Sequence, residues 1–269
     1  SLLVDAKVFD FFVHNMMDKS KADANFISVD KNLIDAVAKN DSIKLQTILT
    51  QYLESEKLGF VLVTDKTGAV LMRGHSTSEY GDSIAPERAV EESLIGNPFT
   101  TIEYSRAEKL SIRSSAPIYK DGKIVGIVLA GFPLDNVMVD GIKKVTGLDA
   151  TLYQSNLVVA TTAFSQDGRT RLVGSSIDDQ NIKKDVLVEG KHATSLVKIK
   201  NIQFLASYIP LRNSDGKIIG MFSSAKPQSD IVDIANETNR LTLVTVTLLL
   251  VLLSLPMYFL VRKLINSSI

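Results

Sequence analysis

Between residues 73 and 115 the chain gathers side chains suited to holding a small anion: Arg73, His75, Tyr80, Tyr104, Arg113 and Ser115. An arginine offers a rigid fork of N–H donors that meets a carboxylate two for two, and its charge survives partial burial. Histidine adds a donor whose charge follows pH near neutrality. Tyrosine and serine hydroxyls add donors without charge. This chemistry is recognition rather than turnover. His14, His75 and His192 are scattered, without the i, i+4 spacing of a zinc-binding helix. There is no glycine-rich phosphate loop and no G-x-S-x-G nucleophile turn, and "SSAPIY" and "VGSSI" hold hydroxyls with no evident base. No catalytic site, metal or cofactor is expected. Each candidate also has a structural role open to it. Arg73 and Arg113 are ordinary surface residues if their strand faces are solvated, His75 can cap a loop, and the tyrosines can pack with a wet hydroxyl.

The elements that must position these residues follow from hydrophobic periodicity. "FVLVTDKTGAVLMRG" holds two β-rich runs joined around Asp65–Gly68, with Arg73 ending the second. "APERAVEESLIG" has a helical pattern, with Pro86 in its first turn and Gly96 at its end. "TTIEY", "LSIRSSAPIY" and "KIVGIVLAGF" are strands. Tyr104 ends the first of these. Arg113 sits mid-strand in the second, opposite in parity to Leu110 and Ile112, with Ser115 on its own face. Ahead of them, residues 1–58 are expected to form one long helix. Leu3, Val4, Val8, Phe11 and Phe12 begin its apolar stripe, and Gly59 follows as its cap.

The pattern then recurs. "PIYKDGKIVGI" at 117–127 is echoed by "PLRNSDGKIIGM" at 210–221, and "YGDSI" at 80–84 by "VGSSI" at 173–177. The echoes keep an offset of 93 or 94 residues. Two echoes in one register imply a duplicated module of domain size. "VDGIKKVTG" supplies the second module's leading helix, "LDATLYQ" and "LVVATTA" its first hairpin, and "DQNIKKDVLVEG" its short helix. "ATSLVKI", "IQFLASYIPL" and "KIIGMFSSA" complete its sheet.

Composition bounds the rest. The chain of 269 residues is 45% hydrophobic and 22% charged, enough for two cored domains and against disorder. Thirty basic residues balance thirty acidic ones, which disfavours nucleic acid as a partner. There is no Cys, so disulfides and thiolate metal sites are excluded. From Leu241 to Val261 the run "LTLVTVTLLLVLLSLPMYFLV" carries no charge. As a helix it would extend about 31 Å, the thickness of a bilayer core. Arg262 and Lys263 after it outnumber Arg240 before it, which places residues 1–240 outside and the tail in the cytoplasm. Because Ser1 is not Met, an earlier membrane span is expected upstream.

This layout resembles the double-Cache sensor ectodomains of bacterial transmembrane receptors. "RGHSTSEYGDSI" followed by a helix is similar to the membrane-distal module of that family. "TGLDATLYQSNLVVATTAFSQDGRTRLVGSSI" and "FLASYIPLRNSDGKIIG" are similar to its membrane-proximal module. "LVRKLINSSI" is similar to the start of a HAMP relay helix. The resemblance covers residues 55 to 230 and implies an α+β fold of tandem PAS-like antiparallel-sheet modules. The implied segments are a helix at 1–58, a distal module at 59–136, a proximal module at 137–230, a juxtamembrane helix at 231–240, a transmembrane helix at 241–261 and a cytoplasmic linker at 262–269.

The resemblance also places the ligand, between the distal sheet and the segment 75–99 that covers one face. There the six candidates would bind a small metabolite, an organic acid favoured by their cationic character. The amino-acid-binding version of the family uses a Trp and an Asp on the last strand. This chain has no Trp, and "KIVGIVLAGF" offers no carboxylate, so an ammonium would lack its counter-ion. The proximal module, with Lys198, Tyr208 and His192, is expected to transmit motion. A homodimer along the N-terminal helices and a chemotaxis output are expected, with a histidine kinase or diguanylate cyclase output as alternatives. A membrane-anchored adhesion or scaffold ectodomain is the rival from another class, marked by a site filled with side chains. On this reading Arg113→Ala weakens ligand binding without unfolding the domain.

Overall fold

A computed structural model describes residues 2–165, 167–199 and 202–227. The N-terminal region is not one helix but three: α1 (Leu2–Ser28), α2 (Lys31–Lys39) and α3 (Ser42–Ser55). Local polar chemistry makes the breaks. Asp30 leaves helical geometry and accepts from the amide of Asn32, Asn40 turns left-handed at φ 52°, and Asp41 accepts from the amide of Lys44. Asp and Asn side chains compete for backbone amides in this way, which stops a helix and starts the next. The Tyr52 hydroxyl, 2.7 Å from Asp30 Oδ2, folds α3 back onto the first break. Gly59 caps nothing, since α3 has already ended at Ser55.

The first sheet comprises β1 (Phe60–Asp65), β2 (Val70–Arg73), β3 (Phe99–Ser105), β4 (Lys109–Lys120) and β5 (Lys123–Pro133), with α4 (Arg88–Leu94) between β2 and β3. After α5 (Asn136–Thr146) come β6 (Asp149–Gln154) and β7 (Leu157–Thr161). A three-residue α6 (Gln180–Ile182) then runs into a π-helical stretch, Lys183–Val188, where a single short helix was expected. The second sheet ends with β8 (Ala193–Ile199), β9 (Ile202–Arg212) and β10 (Ile218–Pro227). Both sheets are five-stranded, ordered β2-β1-β5-β4-β3 and β7-β6-β10-β9-β8. The two orders coincide when β6 to β10 are laid on β1 to β5, so the duplication seen in the sequence is a duplication of fold.

The echoed glycine explains itself in this register. Gly126 on β5 and Gly220 on β10 pass so close to β1 and β6 that a Cβ would collide with the carbonyl oxygens of Thr64 and Tyr153. The echoed turns differ. Asp121 and Gly122 both have positive φ, 51° and 74°, as a two-residue primed hairpin requires. In the longer copy Gly216 alone is left-handed, at 77°, and Gly216 N bonds back to Asn213 O.

The chain divides into two units, Ser1–Ser195 with Ala206–Ala225, and Leu196–Leu205 with Lys226–Ile269. Within the first, α1 to α3 cover one face of the first sheet, burying Ile27, Leu33, Leu45 and Leu49 against Val61, Val63, Ile118 and Val128. On the other face α4 packs Ala89 and Val90 over Phe60, Leu62 and Leu129. A third core joins Phe9 and Val13 of α1 to Ile112, Leu152, Ile209 and Phe222, with the Phe9 and Phe222 rings stacked 3.9 Å apart. Of the second unit, the described part is the end of β8, the start of β9 and the end of β10. The apolar run 241–261, the juxtamembrane stretch 231–240 and the linker 262–269 lie outside the described residues. Among the described residues no helix is long and apolar enough to cross a membrane.

Candidate functional site

Strand register sets the floor of the site. Phe60 on β1 faces Gly131 on β5, which faces Arg113 on β4, which faces Thr101 on β3. Residues paired across antiparallel strands share a face, so this row lies under α4 and the loop from Gly74 to Glu87. Gly131 leaves the room that the Phe60 ring occupies. The Arg113 guanidinium lies 5.5 Å from that ring's centroid, and the His75 ring is edge-on to it at 5.8 Å.

Both arginines are buried, and neither strand face is solvated. Arg113 is 0% exposed and Arg73 3%. Each is held by carboxylates of its own chain. Arg73 forks onto Asp82, with Nη1 2.7 Å from Oδ1 and Nη2 2.9 Å from Oδ2. Arg113 donates through Nη1 to Glu87 and through Nη2 to Glu108, and Glu103 stands 3.9 Å away. Glu103 also accepts from the backbone amides of Arg88 and Ala89, tying the start of α4 to β3. Glu108, in the β3–β4 turn, joins the two halves: its Oε1 is 3.4 Å from His75 Nε2 and 3.6 Å from Arg73 Nε.

The structure therefore brings Arg73, His75 and Arg113 into one cluster and leaves three other candidates outside it. Ser115 is buried, but its hydroxyl donates to Ala89 O at 2.5 Å and accepts from Ser93, pinning α4 to the sheet. Tyr80 and Tyr104 are exposed. Asp82, Glu87, Glu103 and Glu108 escaped the sequence reading. Strand parity was a usable signal for Glu103, which shares a face of β3 with Thr101 and Ser105, whereas a turn residue such as Glu108 carries no such signal. The absence of a carboxylate on β5 is made good from β3, the β3–β4 turn and the covering loop. In the proximal module Tyr208 is buried near Tyr153, and burial raises its phenol pKa. Lys198 and His192 are exposed.

Four carboxylates meeting two guanidinium groups leave a surplus of negative charge, and burial sharpens the consequence. Desolvation, reinforced by Glu103 and Glu108, outweighs Arg113 and lifts the Glu87 pKa to about 7. At Glu108 desolvation also pushes upward, but His75, Arg113 and Ser105 overcome it and hold the group at about 2. Among the described residues no three His, Asp or Glu side chains converge to hold a metal ion.

The two glutamates work in opposite directions on stability. Glu87 has a folded pKa above its unfolded value, so its contribution is complete below about pH 4.5 and is lost as pH rises to about 7. Glu108 has a depressed pKa, so its contribution is present above about pH 4.5 and is lost as pH falls toward 2. Glu87→Gln should flatten the decline in melting temperature between pH 5 and pH 7, where Glu87 costs at most about 1.4 kcal/mol per pH unit. Calorimetric melts of both proteins across that range check it, and parallel curves would remove Glu87 as the titrating group.

Residues 133–238 match a family model described as Single cache domain 3. The chain is similar in fold to the sensor domain of the Vibrio cholerae histidine kinase DctB. The identity is 13%, the alignment covers 84% of this chain and 95% of that one, and the TM-score is 0.58. It is also similar to the periplasmic domain of Vibrio cholerae LuxQ, at 11% identity, 84% and 100% coverage and a TM-score of 0.52. The ligand-binding domain of the Campylobacter jejuni chemoreceptor Tlp3, solved with 4-methylisoleucine, gives 18%, 85% and 88%, and 0.50. The comparison with curated proteins finds no match. The resemblance to Cache modules is thus borne out by a family match over residues 133–238, and the chain shares its fold with these structures.

Proposed function

We propose that this chain is the ligand-sensing, extracytoplasmic region of a bacterial transmembrane signalling receptor, with its effector site at the charge cluster of the first module. One observation carries the reading. Four buried side-chain polar atoms lack a close hydrogen-bond partner among the described residues: Arg73 Nε and Glu108 Oε1, which meet only at 3.6 Å, Arg113 Nε, and Ser111 Oγ on the strand position paired with Glu103. Buried polar atoms are nearly always satisfied, and leaving one bare costs about 1–3 kcal/mol. A small polar metabolite would complete this set of two donors, one acceptor and one hydroxyl.

That complement refines the ligand class. A carboxylate would satisfy the arginine Nε groups, and an ammonium or hydroxyl on the same molecule would satisfy Glu108. A bare dicarboxylate brings charge of the sign already in surplus, so it would bind with uptake of a proton at Glu87. We therefore favour a small organic acid that also carries an amino or hydroxyl group. The site is filled by its own side chains here, as a scaffold's would be, so a ligand requires the loop from Gly74 to Glu87 to lift. That cost sets the two states between which a ligand shifts the population.

The receptor would be anchored by residues 241–261 and paired along α1, where Phe11 is 66% exposed. Chemotaxis is the output we place first, with a histidine kinase or diguanylate cyclase as alternatives. The similar domains named above belong to a chemoreceptor and a histidine kinase. A thermal-shift screen of the whole chain against amino acids, hydroxy acids, dicarboxylates and amines tests the site. Amino or hydroxy acids should raise the melting temperature by several degrees, and dicarboxylates only toward acid pH. A folded chain that responds to none of them at millimolar concentration would favour the scaffold reading.

A further inference from the structure

We propose that the cleft where the two modules meet is a second ligand site, which takes a small monocarboxylate with an apolar body. The cleft has a volume of about 430 Å³, within the roughly 300–1,000 Å³ of small-molecule sites. Its walls come from α1, β3 and β9, so neither module builds it alone. Val13, Ile102 and Leu211 give it an apolar side, and His14, His192 and Arg212 give it a side of hydrogen-bond donors that includes one guanidinium.

Arg212 is what makes this a site rather than a gap. Its Nη1 donates to Gly216 O at 2.9 Å, and its guanidinium lies over Gly190, where a Cβ would collide with Nη2. The head group is thereby set in place before any ligand arrives. Arg73, Arg88, Arg113 and Arg171 each have a carboxylate within 4 Å, whereas among the described residues Arg212 has none. His14 is oriented too, its Nδ1 2.7 Å from Asp10 O, which leaves Nε2 for the cleft. Asp10 is the acidic residue of the lining. The fixed guanidinium, with two imidazoles as further hydrogen-bond partners, suits a single negative charge, and the apolar wall suits the rest of the molecule.

The position gives such a ligand leverage. Asn213 and Ser214, at the tip of the β9–β10 turn, line the same cleft. Ser214 donates through its hydroxyl to Thr100 O and through its amide to Thr101 Oγ1, both on β3. An occupant would bear on these links between the modules, independently of the cluster around Arg113.

Titration calorimetry and hydrogen exchange of the whole chain with phenylacetate test this, with phenylacetamide as the uncharged twin. Phenylacetate should bind and slow exchange at residues 13–17 and 209–214. Phenylacetamide, and phenylacetate with Arg212→Gln or His192→Gln, should each bind about tenfold more weakly, which is 1.4 kcal/mol. Arg212 and His192 are exposed, so both variants should keep the native circular dichroism spectrum. Absence of binding up to roughly 10 mM, about 2.7 kcal/mol, overturns the proposal. So does an affinity unchanged in both variants. Protection confined to residues 73–115 would also overturn it while leaving the cluster site standing, and protection at the cleft alone would support it without bearing on the cluster, which the metabolite screen tests separately.

Discussion

Arg113→Ala should melt the first module far below the native chain, with a loss of about 3–5 kcal/mol. The side chain is fully buried and holds Glu87 and Glu108 on its two forks. Its removal leaves Glu87 and Glu103 without a cation beside them and Glu108 with Arg73 and His75 alone, and strips the Phe60 ring of the guanidinium next to it. Breaking a buried ion pair from one side costs far more than the pair contributes when intact. Circular dichroism melts should show a fall of roughly 10 °C, since about 1 kcal/mol moves a unit of this size by 2–4 °C and the carboxylates recover part of the loss by taking up protons. A variant that melts with the native chain would show that the cluster is not a closed network. The sequence pointed instead to a ligand contact removable at little cost, and that expectation fails on burial.

The second large effect is expected one residue across the sheet. Gly131→Val adds a branched side chain where even a Cβ would collide with the carbonyl oxygen of Ile112 and the rim of Phe60. Backbone oxygen cannot move aside as a flexible side chain would, so β4 and β5 must part or Phe60 must leave its place. Overpacking of this kind costs about 1–3 kcal/mol, and more where the backbone is the obstacle. Because Phe60 contacts both His75 and Arg113, the variant should lose stability and ligand response together. Urea melts paired with the metabolite screen would show it. A stable variant with an intact response would mean that the Phe60–Gly131–Arg113 row does not shape the site.

How far the sequence led follows from the kind of signal each element carries. The sheets were legible because strands repeat every two residues, and "PIYKDGKIVGI" with its echo fixed the duplication through residues with defined backbone roles. The breaks at Asp30 and Asn40 were not, because the apolar stripe continues on either side of them and a single capping hydrogen bond decides the outcome. At the site, parity placed Arg113 and Ser115 on one face, but not whether that face met water or a packed helix. The carboxylates come from a strand, a turn and a loop, which only tertiary structure unites. Ser115 and Tyr104 illustrate the two ways a candidate ends elsewhere, one consumed by a helix contact and one turned outward.

The single added residue in the second hairpin has a mechanical meaning. Had both copies kept the two-residue turn, the modules would be joined by α1 and the apolar core they share, with no polar tie between the sheets. The longer turn instead reaches back to β3 through Ser214, while its Asp215 lies 3.5 Å from Arg88 on α4, the residue after Glu87. Duplication supplied the part, and one inserted residue made it a tie rod. A tilt of the helix over the first sheet would therefore pull on the turn that joins β9 and β10, the central hairpin of the second.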